Sequence, residues 1–286
     1  MSQTSGRGNL FVVATPLGNL GDITFRAVRV LTEADLVLAE DTRAASRLFQ
    51  ALKIPQRQIQ SLFDHNEKER LAQIKQWLDQ GLNLALISEA GTPLISDPGF
   101  FIVKHLRQEN YNVIPIPGPS APITALVASG FPVHPFTFLG FLPRKTGEIK
   151  KIFQPLANLN TTLIFFERKN RVIQTLKLAH NVFGDRPFCL ARELTKVYEE
   201  FIYGNLGQIS LDQNKLKGEF TVLIAPGEKN KTSAQELEKI VKPLLAIYKI
   251  KEIVRKIEGK VTGWSNKELY SFIQQLNRDK ELSAKN

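Results

Sequence analysis

LNLALISEAGTPLISDPG (residues 82–99) passes from a short apolar run into a loop rich in glycine and proline. The apolar run is typical of a strand that is buried on both faces of a sheet. In the loop, Gly91 and Gly99 tolerate a left-handed backbone or a close backbone approach, and Pro98 stands where a helix can begin. A strand, a loop and a helix in this order predict one βα unit of an α/β fold.

The same alternation of short apolar runs and helical periodicity extends in both directions from this unit. Asp22 is the expected N-cap of the first helix, because the apolar residues that follow it recur with helical spacing. Strands joined by helices in this way form a mostly parallel sheet with helices on both faces. We predict the strands of this first half at 10–14, 36–39, 82–87 and 113–116.

PIPGP (115–119) separates this half from the next, since three prolines in five residues interrupt regular structure. The apolar runs beyond it have strong β-propensity and predict a mixed sheet, and from residue 229 the pattern becomes helical. The predicted fold class is therefore α/β, with two α/β domains at 8–117 and 118–228 and a small helical basic domain at 229–286. The strands predicted for the second half lie at 136–138, 163–166, 188–191, 197–203 and 220–225.

The charge is the most informative property of the composition. The formal net charge is +10 at pH 7, and a surface this basic favours polyanionic partners, nucleic acid before an anionic membrane. A charge that serves solubility alone is the alternative. Residues 229–286 hold 13 Lys and Arg against 7 Asp and Glu, so the helical tail carries +6 of the total.

Other bulk properties exclude several classes of protein. A hydrophobic content of 43% and a charged content of 23% are those of an ordinary globular chain. The single cysteine, Cys189, cannot form an internal disulfide, which fits a reducing compartment. No apolar stretch approaches the roughly 20 residues that span a bilayer, and nothing near Met1 resembles a signal peptide. We expect a soluble cytoplasmic protein with no membrane partner.

Two loops of the first half, and a third at the boundary between the halves, have the composition of ligand loops. TPLGNLGD (15–22) is a glycine-rich turn between a strand and a helix, where α/β folds bind nucleotides, but a plain tight turn is equally consistent. In the loop 88–99, we expect backbone groups of 90–92 to embrace a nucleoside while carboxylates hold its polar groups; for Asp97 the alternative is an N-cap. PGPSAP (117–122) is the third loop.

In the second half, FER (166–168), ARELTK (191–196) and GEF (218–220) place carboxylates beside cationic side chains at strand boundaries, although a surface salt bridge is the ordinary interpretation of any single pair.

The four histidines are scattered without ligand spacing, so no metal site is expected. Cys189 lies in an apolar run and is expected in the core. Neither a G-x-S-x-G elbow nor a P-loop is present.

In their order along the chain, these loops resemble a known family. FVVATPLGNLGD (11–22), AEDTR (39–43) and SEAGTPLISDPG (88–99) carry the resemblance, and PGPS (117–120), FER, RELTK (192–196) and GE (218–219) continue it. The chain resembles the tetrapyrrole-methylase superfamily over residues 8–227, and more narrowly its ribosomal branch, the small-subunit rRNA 2'-O-methyltransferase I family. Members that methylate tetrapyrroles typically carry G-x-G-P-G after the first strand; TPLGN stands here and points away from porphyrinoid substrates.

The resemblance implies a cofactor, a substrate and an assembly. It implies S-adenosyl-L-methionine (SAM) in a cleft between the two α/β domains, 2'-O-methylation of a cytidine in the decoding centre of 16S rRNA within the small ribosomal subunit, and a homodimer. The alternatives are methylation of a tetrapyrrole or of a protein-bound small substrate by the same fold, and an RNA-binding factor without activity. The cofactor-binding residues that it implies are Pro16, Leu17, Gly18, Ala90, Gly91, Thr92, Asp97, Gly118, Ser120, Ala121, Phe166, Glu167, Arg192, Glu193, Leu194, Gly218 and Glu219.

A ribose hydroxyl is a poor nucleophile until its proton is removed, so a base or strong acceptor is expected beside it. The candidates are Asp41, Glu167 and Glu193, with Glu40 as a fourth, and each is equally able to orient a neighbouring arginine. The helical tail is expected either to dock on RNA or to pack in the dimer. The residues expected to bind RNA phosphates are Arg43, Arg144, Lys145, Arg168, Lys169 and Lys196.

Overall fold

The computed structural model describes residues 6–63, 65–213, 216–227, 232–258, 261 and 263–283. Its contacts divide the chain into two compact units. The first unit runs to Ala157 and continues over Thr161–Pro226; the second holds Asn158–Asn160 and the chain from Gly227. Both sheets belong to the first unit, and its division at 117/118 into two domains stays a prediction.

The first sheet is entirely parallel, as the alternating pattern predicts. The strands Leu36–Ala39 and Leu84–Ile87 are buried along their whole length, which explains their continuous apolar sequence. Pro115 is tolerated in the last strand because that strand lies at an edge. The strands are β1 (Asn9–Val13), β2 (Leu36–Ala39), β3 (Gln58–Ser61), β4 (Leu84–Ile87) and β5 (Asn112–Ile116), in the order β3-β2-β4-β1-β5.

Helices cover both faces of this sheet. They are α1 (Phe25–Glu33), α2 (Thr42–Ala51), α3 (Glu67–Asp79) and α4 (Phe100–Gln108). Leu31 of α1 and Phe49 of α2 lie in the core of one face, while Ile74 of α3 and Ile102 of α4 lie in the core of the other. The helices that follow β1 and β2 therefore share one side, and α3 and α4 share the opposite side.

The second sheet is mixed, also as predicted. One edge pair is parallel, and the remaining neighbours are antiparallel. α6 (Thr146–Phe153) and α7 (Val172–Phe183) pack on one face around Phe153 and Leu176, while α5 (Ala121–Ala128) packs on the other. The strands are β6 (Phe136–Phe141), β7 (Thr162–Arg168), β8 (Pro187–Arg192), β9 (Glu200–Asn205) and β10 (Glu219–Ile224), in the order β6-β7-β10-β8-β9.

The N-cap predicted at Asp22 is wrong, and the N-cap considered as the alternative for Asp97 is not found either. Helix α1 is capped by Thr24, whose hydroxyl accepts a hydrogen bond from Ala27 N at 3.1 Å, and Asp22 ends a preceding 3-10 turn instead. Helix α4 is capped by Gly99 at φ 117°, not by Asp97. In both cases the helix begins two residues later than an N-cap at the aspartate would place it.

Two strands also differ from the prediction. β3 has the sequence QIQS and lies at an edge, so it lacks the apolar run that would identify it. The strand predicted at 197–203 begins only at Glu200, because Val197 and Tyr198 lie in a turn and are 93% and 73% exposed. Their β-propensity is outweighed by the turn that precedes them.

The second unit is helical, as predicted for the tail. It contains α8 (Ala234–Leu244), α9 (Ile250–Ile257) and α10 (Asn266–Ser283). A capping box of Ser233 and Glu236 starts α8, and the helices enclose a core of their own that includes Leu237, Ile253 and Ile273. No described helix is long and apolar enough to cross a membrane.

Candidate active site

The carboxyl ends of β1, β4 and β5 bring together the three glycine- and proline-rich loops that follow these strands. Thr15 and Gly91 exchange two backbone hydrogen bonds, N to O at 2.8 and 3.0 Å, which join the first loop to the second. The Thr92 hydroxyl donates to Pro119 O at 2.9 Å and joins the second loop to the third. The three loops thus form one continuous surface.

Loops of the second sheet close over this surface at two glycines. A Cβ atom on Gly18 would lie 2.3 Å from Cγ of Lys196, so the lysine stem crosses directly over the glycine. A Cβ atom on Gly140 would lie 3.0 Å from the Ser96 hydroxyl. Larger residues at either glycine would push the loops of the two sheets apart.

A cavity of about 670 Å³ lies between these loops. Its volume is in the range of sites for nucleoside-sized ligands. Every loop described above contributes to it, together with the ends of β6, β7 and β8 and the start of β10. The lining residues are Pro16, Leu17, Gly18, Leu20, Glu40, Leu48, Glu89, Ala90, Gly91, Thr92, Ile95, Ser96, Asp97, Ser120, Ala121, Pro122, Phe141, Phe166, Arg168, Ala191, Glu193, Leu194, Lys196, Glu219, Phe220 and Thr221.

The lining is acidic although the protein is basic. Five of the lining residues carry carboxylates, against the two cationic residues Arg168 and Lys196. In a chain of net charge +10, this local reversal of sign favours a ligand that carries positive charge or several hydroxyl groups. The five are Glu40, Glu89, Asp97, Glu193 and Glu219.

Aromatic rings form one wall of the cavity. Phe166 lies 5.1 Å from Phe141 and 5.1 Å from Phe138 between ring centroids, in tilted and edge-on arrangements. Phe138 is half-buried in the core, whereas Phe141 is 52% exposed. An exposed ring beside a nucleoside-sized cavity is suited to stacking on a planar base.

The turn after β8 is strained and holds a carboxylate in place. Glu193 and Thr195 adopt φ values of 47° and 65°, and the second is a severe departure for a β-branched residue. Lys196 Nζ lies 3.3 Å from Glu193 Oε2, and Glu219 N lies 3.4 Å from Glu193 Oε1. Gly218 leaves the space for this carboxylate, since a Cβ there would lie 2.1 Å from Glu193 Oε1. The turn and its two contacts fix the direction of the Glu193 side chain.

Most of the residues predicted to bind the cofactor line this cavity, and four do not. Gly118 instead allows close packing, because a Cβ atom there would lie 2.9 Å from the Ala14 Cβ. Arg192 forms an ion pair with Glu200 at 3.0 Å. Gly218 supports Glu193 from outside the lining. Glu167, the fourth, was also predicted as a base.

The structure does not bring Glu167 to the cavity. Its buried carboxylate accepts hydrogen bonds from Thr175 Oγ1 at 2.7 Å and from Arg168 N at 2.9 Å, and it lies 3.3 Å from Arg171 Nη2. Phe166, the preceding residue, faces the cavity, and successive side chains of a strand point to opposite faces. The structure therefore does not support the prediction of Glu167 as a base or cofactor ligand.

Asp41 is likewise engaged away from the cavity lining. Its carboxylate caps α2, accepting hydrogen bonds from Arg43 N at 2.7 Å and Ala44 N at 3.0 Å. The backbone N–H groups of Ala44 and Arg43 hold the pKa of Asp41 below its ordinary value, which makes it a poor proton acceptor. Glu40, one residue earlier, does line the cavity.

The residues predicted to bind RNA are spread over the first unit. Arg168 and Lys196 line the cavity, and Lys169 is exposed beside the first of them. Arg144 and Lys145 are exposed before α6, with Lys145 Nζ 3.6 Å from Glu148. Arg43 lies outside the cavity, on α2.

Several lining residues were missed from the sequence. Glu89, Ile95 and Ser96 lie in the loop 88–99, in which only 90–92 and 97 were predicted to bind the cofactor, so their position in this loop was the available signal. Phe141 ends a strand that was predicted to stop at residue 138, and no pattern in the sequence distinguishes it from a core phenylalanine.

Metal and thiol chemistry have no support at this cavity. Among the described residues, no group of histidine, cysteine, aspartate and glutamate side chains is arranged to hold a metal ion. Cys189 is buried in β8, and burial raises the pKa of its thiol to about 11. The cysteine belongs to the core, as predicted.

Comparison with known proteins yields one family. The model of the family described as Tetrapyrrole (Corrin/Porphyrin) Methylases matches residues 9–210. The proteins named ribosomal RNA small subunit methyltransferase I from Micromonospora olivasterospora and Rickettsia prowazekii are each 40% identical to the chain. The alignments cover 91% and 94% of this chain, and 86% and 97% of the two relatives.

Solved structures share the fold at low sequence identity. The methyltransferase CobJ superimposes with a TM-score of 0.61 at 16% identity, over 79% of this chain and 97% of its own. Uroporphyrin III C-methyl transferase from Thermus thermophilus gives a TM-score of 0.53 at 19% identity, over 77% of this chain and 98% of its own. The two α/β sheets are thus those of a tetrapyrrole-methylase fold.

Proposed function

The chain belongs to the tetrapyrrole (corrin/porphyrin) methylases, and within them to the ribosomal RNA small subunit methyltransferase I family; from this premise we propose that it transfers a methyl group from SAM to small-subunit rRNA. The proposed acceptor is the 2'-hydroxyl of a cytidine in the decoding centre of 16S rRNA. The names of the relatives and the net charge of +10 support an RNA substrate. A homodimer stays a prediction.

The observation that carries the proposal is the acidic cavity. SAM has a cationic sulfur, an ammonium group and two ribose hydroxyls, and carboxylates suit all of these groups. Backbone groups of Ala90 to Thr92 and the apolar side chains of Leu17 and Leu194 offer a nucleoside both hydrogen bonds and contact area. The volume, the charge and the mixed lining therefore fit this cofactor.

When bound, SAM supplies an electrophilic methyl group. The residues of the chain contribute alignment and exclusion of water, which provide most of the acceleration in such a displacement. The loops joined through Thr15, Gly91 and Thr92 form a pre-organised floor. Lys196 over Gly18 covers that floor from the second sheet.

We assign the acceptor of the ribose proton to Glu193. It lines the cavity, and the strained turn together with Lys196 and Glu219 N holds its carboxylate in one direction. A carboxylate that is held in one direction at the cavity can accept a proton without reorganising. Glu167 and Asp41 are already engaged in hydrogen bonds elsewhere.

The test is methylation of small ribosomal subunits isolated from a strain that lacks the activity. Labelled SAM, nuclease digestion and mass spectrometry identify the modified nucleotide, and we expect 2'-O-methylcytidine. Glu193→Gln should lower kcat by about 10²-fold or more. Glu33→Gln, an exposed residue at the end of α1, serves as the matched control and should retain the wild-type rate.

Two results would contradict the proposal. Methylation of a base, of a ribosomal protein or of a porphyrinoid in place of the ribose would exclude the proposed reaction. A Glu193→Gln enzyme with the wild-type kcat would leave the reaction standing and remove Glu193 from it.

A further inference from the structure

A second, shallower depression lies on α2, outside the cavity. Its volume is about 430 Å³, and it is bounded by the first two turns of the helix and by the segment that leads into and along β3. The lining residues are Thr42, Arg43, Ser46, Arg47, Gln56, Arg57 and Ile59.

The depression has one sign of charge. It presents three guanidinium groups, two hydroxyls and one amide, and no carboxylate lines it. The acid beside it, Asp41, accepts hydrogen bonds from the backbone of α2. Within the described part of the chain, no ion pair joins Arg43, Arg47 or Arg57 to a carboxylate.

Of the three arginines, Arg57 is the one that the fold holds in place. It is half-buried, and one terminal nitrogen donates a hydrogen bond to Thr32 O, which fixes the guanidinium. Its Nε atom is buried without a hydrogen-bond partner. Arg43 and Arg47 are exposed, so their side chains can move to contact a ligand in the depression.

The same helix connects the depression to the cavity. Leu48 follows Arg47 directly and lines the cavity, and Glu40 lines it just before α2 begins. The two sites have opposite charge, since the cavity carries five carboxylates and the depression three arginines. A polyanion would therefore be held beside the cavity rather than inside it.

We propose that this depression, the α2 arginine site, binds a backbone phosphodiester of the substrate RNA close to the methylated nucleotide. Guanidinium groups recognise phosphate oxygens through paired hydrogen bonds, and hydroxyl and amide donors add to them. Contacts to phosphate carry no sequence information, so such a site would position the strand without reading its sequence. The inference rests on the proposed RNA substrate.

The test uses Arg43→Gln with Arg47→Gln, because both side chains are exposed and their replacement should leave the fold intact. Binding of a small-subunit rRNA transcript is measured over a series of salt concentrations. Loss of the contacts to this one phosphate should reduce the slope of log K against log salt by about 0.7. The affinity for SAM, measured by calorimetry, should not change.

Lys104→Gln is the matched control. Lys104 is exposed on α4, on the opposite face of the first sheet, so its removal lowers the net charge without touching the site. This variant should keep the wild-type slope. A double arginine variant with the wild-type slope would overturn the inference.

Calorimetry with inorganic phosphate distinguishes a site for a free anion from a site for the phosphates of RNA. If the double variant loses calorimetric binding of phosphate while its slope for RNA is unchanged, the site serves a free anion and the RNA assignment is wrong. If the slope falls although no rRNA is methylated, the α2 arginine site stands and the proposed reaction fails. If rRNA is methylated and the slope is unchanged, the reaction stands and the site fails.

Discussion

Glu67 shows how a single residue can hold a loop of the candidate site from outside the cavity. It is the first residue of α3, and its buried carboxylate accepts hydrogen bonds from Gly99 N at 2.6 Å and Ile102 N at 3.3 Å. Gly99 caps α4 but has no side chain, so Glu67 supplies the missing acceptor from another helix. The end of the loop 88–99 is thereby attached to the body of the first sheet.

Replacing Glu67 should separate charge from hydrogen bonding. Glu67→Ala leaves two buried N–H groups without an acceptor and should lower the free energy of unfolding by about 1–3 kcal/mol. Glu67→Gln keeps one acceptor oxygen and should cost less. Urea unfolding measures both, and calorimetry should show weaker SAM binding in the same order. Equal stability of the two variants would mean that the carboxylate does not cap α4.

For single residues, the sequence predicted which of them lie near the cavity better than it predicted which way their side chains point. Most of the cavity lining was predictable because it lies in glycine- and proline-rich loops after strands. Glu167 and Glu193 have similar sequence contexts, each at a strand end beside an arginine. Only the packing of β7 against α7 turns the first toward Thr175, and only the strained turn after β8 holds the second in the cavity. Both causes lie in the tertiary structure, which the local sequence around each glutamate does not reveal.

Among the elements, β6 has a role that its sequence hides. Its pairing with β7 changes register between Phe138 and Phe141, and Gly140 within this bulge has a φ of 65°. A bulge re-aims the side chains that follow it. Here it lets two phenylalanines three residues apart both reach Phe166, one from the core and one from the cavity.

Substitution of Gly140 should therefore disturb the site as well as the strand. Gly140→Ala incurs about 1–2 kcal/mol of backbone strain and also brings a Cβ to 3.0 Å from the Ser96 hydroxyl. Gly130→Ala is the control, since Gly130 has a similar φ of 70° and open space around it. Both should lose stability in urea, but only Gly140→Ala should weaken SAM binding. Equal loss of SAM affinity in both would refute this role of the bulge.

The elements that could be predicted are those whose sequence is set by burial. β2 and β4 are buried throughout and their apolar runs identified them. β3, at the edge, consists of polar and apolar residues without a run, and it forms because β2 offers it a free edge. The start of β9 was misplaced for the converse reason, since exposed Val197 has the composition of a strand but sits in a turn.

At the scale of the whole molecule, the helical tail is a compact unit with its own core. We expect it to contribute to binding of RNA and not of SAM, because its net charge of +6 is more than half of the total and every residue of the cavity lies in the first unit.

A chain that ends at Pro226 tests this division of labour. It should bind SAM with the affinity of the full chain, by calorimetry, and bind the rRNA transcript more weakly and with a smaller salt slope. A truncated chain that binds RNA with the full affinity would assign the tail to packing instead. Thermal unfolding in parallel establishes that the first unit remains folded.

The acidic lining of the cavity also bears on turnover. A methyl donor whose sulfur is cationic before the transfer is a neutral thioether afterwards, so the attraction that helps to retain the fresh donor is lost once the methyl group has left. The demethylated cofactor should therefore bind more weakly than SAM, and inhibition by this product should be mild. Added salt should reduce the difference between the two affinities, because it screens the attraction between the sulfonium charge and the carboxylates, which only the methylated cofactor experiences.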